Sequence, residues 1–326
     1  MRILTVGAGA VGGYFGALLA RAGEDVTFLV RPGRAAVLRE RGLRISGLGE
    51  DWSVSPTLVT ADTLDGPYDL VLLSVKSTAL EAALDGLAPA VGPDTVIVPL
   101  LNGLAQLDAL TARFGPGPVL GGVAKVVTTL DADGGILRLA PPAVVLTGEL
   151  PAPGADAGAG TGAAAGTAAV AGASDRVSAV RKALTGAGID SPDTPDALGA
   201  MWHKWAFIVS LAALTVLGGG SVGEVNAAPG GPELARAVLA EAAAVAAAAG
   251  RPLPADELAL TEGVVTASGS PLTPSLYRDL LAGAPTEVEH LFGDLTARAR
   301  ALGVATPLLD LATLRLRVAQ ERALRG

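Results

Sequence analysis

The first sixteen residues constrain the fold of this chain more than any other segment. An apolar strand, residues 3–6, runs directly into a glycine-rich turn and then into an apolar helical stretch; the turn is Gly7-Ala8-Gly9-Ala10-Val11-Gly12. Glycines at this spacing between a strand and a helix are typical of a dinucleotide-binding unit. Gly7 permits the tight turn, Gly9 lets the backbone approach a pyrophosphate, and Gly12 lets the helix pack closely on the sheet. We therefore predict that residues 7–12 bind a diphosphate through the free N–H groups of the helix start.

The end of the second predicted strand indicates which dinucleotide is bound. Residues 25–30 form this strand, and Arg31 follows it, with Arg34 close behind. An acidic residue at this position binds the ribose 2′-hydroxyl of NAD, whereas a basic residue suits the 2′-phosphate of NADP. Asp25 lies at the strand start, far from the expected ribose. We therefore predict NADPH as the cofactor; the alternative is that both arginines are ordinary solvated loop cations.

Composition excludes several classes of protein. The 326 residues leave room for two domains, and a hydrophobic fraction of 50% excludes a largely disordered chain. The net charge of −8 comes without a basic cluster, so we expect no nucleic-acid partner. Cysteine is absent and the only histidines are His203 and His290, which predicts neither a disulfide nor a metal site. The N-terminus lacks a cleavage pattern, and the apolar run 205–217 is too short to span a membrane, so we expect a cytoplasmic protein without a membrane partner.

Alternating strand and helix patterns predict an α/β fold. The apolar runs 69–75 and 95–100 have strand length and suit a sheet that is covered on both faces. Residues 119–129 and 136–146 are expected to be further strands, the pair forming an antiparallel extension, and 188–191 a last strand. This order predicts an N-terminal Rossmann-type, doubly wound parallel sheet.

The second half of the chain has a different pattern. Residues 151–174 consist almost wholly of Ala, Gly and Pro, and we predict a flexible surface insertion there. After Pro195 the pattern is helical almost to the end. We therefore predict an NADPH-binding domain at 1–193 and an all-helical substrate and catalytic domain at 194–326.

Several polar residues stand where chemistry is expected. Lys76 and Asn102 follow predicted parallel strands, and ligands of open α/β sheets bind along that edge. Lys204 stands among tryptophans in MWHKWAF; partial desolvation would lower its pKa for proton transfer, or its stem could cover apolar surface while the ammonium reaches water. Glu287 lies at a predicted helix start, which the helix dipole alone would favour. His290, one turn on, either lines the site or contacts Glu287.

Longer segments around these residues match a known family in order and spacing. They are GAGAVGGYFGALLARAG with Arg31, SVKSTAL with Lys76, PLLNGL with Asn102, MWHKWAF with Lys204, and SLYRDLLAGAPTEVEHLFGDLTARARALGVATP with Ser275, Asp279 and Glu287. Over nearly its whole length the chain resembles the ketopantoate reductase (2-dehydropantoate 2-reductase) family. The resemblance implies a Rossmann domain followed by an all-helical domain, with the active site in the cleft between them.

The resemblance also implies a role for each residue. Lys204 would be the general acid that protonates the keto oxygen, and Glu287 would hydrogen-bond the substrate, typically its hydroxyl. Asn102 and Lys76 would align cofactor and substrate, and Ser275 would hold the substrate carboxylate. These roles suit NADPH-dependent reduction of a 2-oxo acid, with ketopantoate to pantoate, a step of pantothenate biosynthesis, as the best single expectation. Helical second domains of this type often pair, which favours a homodimer, although the alanine-rich stretch 235–249 could equally pack internally.

One departure from the family pattern concerns the substrate. The family usually carries two asparagines one and two turns after the catalytic lysine, and here Ile208 and Ala212 stand in their places. Leaving polar substrate groups unpaired costs about 1–3 kcal/mol each. If both residues line the pocket, the substrate is a less polar ketone or an imine, of the kind found in secondary metabolism. A non-enzymatic NADPH sensor is the third alternative, and it would need neither Lys204 nor Glu287.

Overall fold

The computed structural model describes residues 1–152 and 173–325, and their packing divides them into two compact units. The first unit comprises Met1–Leu101 with residues 106–152 and 173–200, and the second comprises Asn102–Ala105 with residues 201–325. Residues 194–200, which the sequence analysis assigns to the second domain, thus group with the first unit, whereas Asn102 groups with the second. Most of the predicted insertion 151–174 lies outside the described residues.

The first unit alternates strands and helices, as predicted. Its elements are β1 (Arg2–Val6), α1 (Ala10–Arg21), β2 (Asp25–Leu29), α2 (Pro32–Arg41), β3 (Leu43–Gly47), β4 (Glu50–Val54), β5 (Thr57–Val59), β6 (Leu70–Leu73), α3 (Leu80–Leu87), β7 (Val96–Pro99), α4 (Ala105–Phe114), β8 (Gly121–Leu130), β9 (Ile136–Gly148) and α5 (Asp175–Gly186). Five strands form a parallel sheet in the order β5-β2-β1-β6-β7. The chain moves from β1 to β2 on one side and later to β6 on the other, so the strand order reverses beside β1. Ligands of such sheets bind at this reversal.

Apolar side chains cover both faces of this sheet, because successive strand residues point to opposite sides. Ile3 belongs to a buried cluster with Phe15 and Leu19 of α1. Its neighbour Leu4 belongs to a second cluster with Leu80 and Leu84 of α3. Helices therefore pack on both faces, and the predicted α/β class with a parallel sheet followed by a helical region is confirmed.

A second sheet of four strands was only partly predicted. Its order is β4-β3-β9-β8, with β8 and β9 antiparallel as expected. The sequence analysis predicted no strands in residues 43–58, yet β3 and β4 pair as a hairpin and β3 pairs in parallel with β9 through Ile45 and Ile136. The predicted strand 188–191 is wrong, since Asp190 makes only an isolated bridge to Val144. Pro192 follows directly and has no N–H with which to extend a ladder.

The remainder of the described residues is mainly helical, as predicted. Its helices are α6 (Ala197–Gly218), α7 (Val222–Ala227), α8 (Gly231–Ala248), α9 (Ala255–Val265), α10 (Ser275–Leu281), α11 (Asp294–Ala301) and α12 (Pro307–Arg325), with a π-helical turn at Glu289–Gly293. Helix α6 is long and apolar enough to cross a membrane, but 67% of its apolar window is buried inside the protein, as in the central helix of a folded domain. The alanine-rich α8 buries one face internally through Ala235, Val238 and Ala242.

Candidate functional site

The glycine-rich turn follows β1 at the carboxyl edge of the parallel sheet. Gly7 has a φ of +95°, and a Cβ there would lie 2.7 Å from the carbonyl oxygen of Ser74. A Cβ at Gly12 would lie 2.5 Å from the carbonyl oxygen of Gly7. Both glycines are therefore required by the turn and by the close packing of α1, which are the roles that the sequence analysis gave them.

Gly9 differs from its two neighbouring glycines. It is the N-cap residue of α1, without a side-chain capping bond, and a Cβ added to it would meet no described atom within 4 Å. The protein's own packing therefore does not require glycine here, whereas close approach of a ligand to the backbone does. The first N–H groups of a helix have no intrahelical partner and attract anions. This turn thus fits the diphosphate of a dinucleotide.

Two predicted cofactor residues flank this turn on the neighbouring strands. Arg31 is the exposed N-cap residue of α2, two residues after the end of β2, and Lys76 is exposed three residues after the end of β6. Because β1 lies between β2 and β6, the turn has one of these cations on each side along the same sheet edge. The edge therefore has a cation on each side of a helix start, and helix starts attract anions.

Arg34 is not a solvated loop cation: it lies in α2 and its guanidinium is hydrogen-bonded. Its Nε and Nη2 donate to the carbonyl oxygen of Ala8 at 3.2 and 3.1 Å, and Nη2 also donates to the carbonyl oxygen of Gly134 at 2.8 Å. Burial lowers the pKa of this guanidinium. The guanidinium is thus engaged with backbone carbonyls, and Arg31 remains as the candidate for a 2′-phosphate.

The candidate acid Lys204 lies in the second unit on α6. Its side chain is half-buried. In the sequence it stands between Trp202 and Trp205, two buried tryptophans whose ring centroids are 5.1 Å apart. Trp205 is fully buried and donates a hydrogen bond from Nε1 to the carbonyl oxygen of Leu291 at 3.0 Å. The residue after Lys204 is therefore fixed to the segment that carries Glu287.

The segment around Glu287 is held from several directions within the second unit. Before it, Thr286 donates from its backbone nitrogen to Gln320 Oε1 at 2.7 Å. After it, the π-helical turn begins, and Glu289 accepts two hydrogen bonds of 2.7 Å from Arg317, which lowers the pKa of that carboxyl. Wide helical turns of this type are frequent at functional sites. Glu287 itself is half-buried.

Asn102 is joined to this same region. His290 donates from Nε2 to the backbone carbonyl oxygen of Asn102 at 2.7 Å, which requires the tautomer protonated at Nε2. This contact joins His290 to the backbone of Asn102, a partner that the sequence did not predict. It also fixes the backbone of one predicted cofactor residue to the turn that follows the predicted substrate residue.

The remaining predicted substrate residues differ in accessibility. Ser275, the first residue of α10, is exposed, and Ile208 on α6 is half-buried. Ala212 is fully buried, so its methyl group offers no surface to a dissolved substrate in this structure. Of the two positions that carry asparagine in the family pattern, Ile208 alone retains accessible surface.

Comparison with known proteins identifies the family. The family model described as ketopantoate reductase PanE/ApbA matches residues 3–151, and its C-terminal model matches residues 196–320. A Bacillus subtilis protein named "Uncharacterized oxidoreductase YkpB" is 30% identical over 95% of this chain and 96% of its own. The chain belongs to the ketopantoate reductase family. It is accordingly an oxidoreductase that uses a nicotinamide cofactor.

Other members of the ketopantoate reductase family align over the full length. A 2-dehydropantoate 2-reductase of Mesorhizobium japonicum is 30% identical, with 99% of both chains covered. The crystal structure of 2-dehydropantoate 2-reductase from Geobacter metallireducens superposes with a TM-score of 0.82 at 28% identity, covering 98% of this chain and 100% of that one. The match therefore includes both units.

Sequence reasoning missed residues whose role depends on distant contacts. The sequence presents Trp205 only as an apolar neighbour of Lys204, and Thr128 only as part of a strand. Thr128 donates from Oγ1 to the carbonyl oxygen of Ala10 at 3.0 Å, 118 residues away in the chain. A tryptophan beside a charged residue at the core side of a helix was the one available signal for Trp205; a threonine in a strand gives none.

Proposed function

We propose that this chain is an NADPH-dependent reductase that transfers a hydride to the carbonyl of a 2-oxo acid, with ketopantoate, reduced to pantoate, as the best single substrate. The observation that carries the proposal is the fixed pairing of the Lys204 helix with the Glu287 segment through Trp205 and Leu291. An ammonium and a carboxylate held on linked backbones suit a substrate that offers a carbonyl and a hydroxyl. This activity assigns the chain to pantothenate biosynthesis.

The cofactor preference is supported by the first unit. The turn of residues 7–12 fits a diphosphate, and Arg31 at the end of β2 is the basic residue that suits a 2′-phosphate. No acidic residue follows β2 directly, where NAD-binding proteins bond the ribose hydroxyl. Lys76 and Asn102 complete the set of residues that would hold the cofactor.

The chemistry of the reaction follows from the charges that develop. When bound, the reduced nicotinamide supplies the hydride. Lys204 donates a proton from Nζ to the carbonyl oxygen, which becomes an alkoxide as the bond order falls. Its positive charge stabilises that oxygen more in the transition state than in the ground state. Glu287 accepts a hydrogen bond from the substrate hydroxyl, and Ser275 donates one to the substrate carboxylate.

One observation favours a second substrate class on the same scaffold. Ile208 is half-buried and aliphatic where the family pattern has an amide. A pocket that loses a hydrogen-bonding amide discriminates against polar substrates and accommodates less polar ones. The second candidate is therefore a less polar ketone or an imine, with the same cofactor and the same acid.

The proposal extends to location and assembly. The mostly buried α6 supports a cytoplasmic enzyme without a membrane partner. A homodimer remains a prediction, and sedimentation of the purified chain tests it directly.

An absorbance assay at 340 nm tests the function. Purified protein, NADPH and ketopantoate are expected to give turnover, and a panel of 2-oxo acids and cyclic imines ranks the substrates by kcat/KM. Turnover of an imine or an apolar ketone with none of ketopantoate would select the second candidate. Tight NADPH binding without turnover across the panel would contradict both.

A further inference from the structure

Two side chains donate hydrogen bonds to backbone carbonyl oxygens of the glycine-rich turn, residues 7–12. Arg34 donates to the carbonyl of Ala8 through both Nε and Nη2, and Thr128 donates through Oγ1 to the carbonyl of Ala10. All four residues belong to the first unit. These bonds reach the turn from α2 and from β8, two elements outside the β1–α1 motif itself.

A bond to a carbonyl oxygen also fixes the next N–H group. The peptide unit is planar and trans, so its C=O and N–H vectors point in opposite directions. Holding the Ala8 oxygen therefore aims the N–H of Gly9 away from Arg34, and holding the Ala10 oxygen aims the N–H of Val11 away from Thr128. Gly9 is the position where an added Cβ would meet no described atom within 4 Å. The two N–H groups are thus directed before any ligand arrives.

The guanidinium of Arg34 is itself held by a further hydrogen bond. Its Nη2 also donates to the carbonyl of Gly134, in the turn between β8 and β9. The Asp131 carboxylate shapes that turn by accepting from the backbone nitrogens of Asp133 and Gly135 at 3.0 and 2.7 Å. The guanidinium remains charged even where burial lowers its pKa, because arginine does not lose its proton in proteins. A cation that is bonded to two turns therefore holds the Ala8 carbonyl in place.

We propose that Arg34 and Thr128 are positioning residues for the cofactor diphosphate, acting through the Gly9 and Val11 amides rather than by touching the ligand's 2′-phosphate. This inference rests on the proposed binding of a nicotinamide dinucleotide at the turn. Preorganised donors bind more tightly because less ordering remains to be done on binding. Both NADPH and NADH carry the diphosphate, so both must depend on Arg34 and Thr128 to the same degree.

The experiment measures dissociation constants of NADPH and NADH for the full chain by fluorescence titration, together with Tm. Arg34→Met is expected to weaken both cofactors by the same factor, about tenfold, since a hydrogen bond from a charged donor is lost. Thr128→Val is expected to weaken both about threefold, and Thr128→Ser, which keeps the hydroxyl, to restore wild-type affinity. Arg39→Met, an exposed site on the same helix, is the matched control and should change neither constant.

Each outcome decides the proposal. A loss confined to NADPH in Arg34→Met would mean direct contact with the 2′-phosphate and would overturn it, as would unchanged affinity. If Arg34→Met fails to fold, the Thr128 pair decides alone: equal affinities of the Val and Ser variants overturn the proposal. A purely structural role would lower Tm and leave the constants of the folded variants unchanged. A wild-type chain that binds neither dinucleotide would instead refute the proposed function.

Discussion

Trp205 and Leu291 are joined by a hydrogen bond of 3.0 Å from the indole Nε1 to the backbone carbonyl oxygen. The indole is fully buried, and the guanidinium carbon of Arg298 lies 5.9 Å from its ring centroid. Lys204 precedes Trp205 directly, and Glu287 lies one turn before Leu291. This single bond therefore sets the spacing between the backbones of the two proposed active-site residues.

Removing the Trp205 Nε1 donor should lower both the free energy of unfolding and kcat. In Trp205→Phe the buried Leu291 carbonyl loses its donor, which destabilises the protein by about 1–3 kcal/mol. A shift between the backbones of Lys204 and Glu287 should lower kcat by about ten- to a hundredfold, because misplacement of reacting groups is costly. The NADPH dissociation constant should stay unchanged. Thermal melting, steady-state kinetics and titration measure the three quantities.

Trp202→Phe is the control for this variant, since Trp202 is also buried on α6 but leaves the Trp205 bond in place. It should lower Tm with a much smaller effect on kcat. Equal effects of the two substitutions on kcat would show that general packing of α6, rather than the bond to Leu291, sets the rate.

The two positions that carry asparagine in the family pattern should respond in opposite ways. Ile208→Asn places an amide on a half-buried side chain and should raise kcat/KM for ketopantoate relative to an apolar ketone by about tenfold. Ala212→Asn forces a larger polar group into a fully buried position and should destabilise the protein by about 1–3 kcal/mol without improving that ratio. A gain in the ratio from Ala212→Asn, with Tm retained, would contradict the assignment of Ala212 to the core.

The carboxylate of Glu149 should make stability depend on pH. It accepts hydrogen bonds from Ser174 Oγ at 2.6 Å and from Arg176 Nε at 2.8 Å, and the Arg176 guanidinium, followed by Ser174, holds the pKa of this carboxyl below its usual range. Because the pKa is lower in the folded state than in the unfolded state, the ionised carboxylate stabilises the fold. This stabilisation is complete at pH above the unfolded-state pKa and is lost as the pH falls through the folded-state pKa. The gap in unfolding free energy between wild type and Glu149→Gln should therefore shrink between about pH 5 and pH 3. A gap that is constant across this range would mean that the carboxylate charge is not responsible.

The parts of the fold that the sequence predicted are those encoded locally. Gly7 and Gly12 mark a tight turn and a close helix approach. In the helical half, the stretches 218–220, 229–232, 252–254 and 268–274 contain the glycines and prolines that end helices, and they lie between helices or at their ends. The hairpin of β3 and β4 is a local pairing that the sequence analysis missed. Its place in the second sheet depends on the pairing of Ile45 with Ile136, 91 positions away, which no local pattern reports. Strand formation depends strongly on the tertiary neighbours of a segment, and the segment's own sequence does not specify those neighbours.

The site was predicted to a similar extent. The residues with proposed chemical roles, Lys204 and Glu287, could be selected from their surroundings and from the family pattern. The residues proposed to orient their surroundings could not be predicted. Their side chains, an indole, an imidazole and a hydroxyl, bond backbone carbonyls, and every residue has a backbone carbonyl, so no sequence pattern identifies the partner. Arg34 illustrates the limit: its place after β2 suggested a phosphate contact, whereas in the structure its guanidinium bonds the backbone carbonyls of Ala8 and Gly134.

The turnover number of Lys204→Ala, measured at 340 nm with saturating NADPH and ketopantoate, tests the central claim most directly. We expect kcat to fall by about 10²–10⁴, the usual contribution of a general acid, with the NADPH dissociation constant unchanged. Lys204→Arg, which keeps the charge but holds its proton too tightly to donate it, should be impaired nearly as much. A Lys204→Ala enzyme that retains kcat within tenfold of wild type would contradict proton donation by this residue.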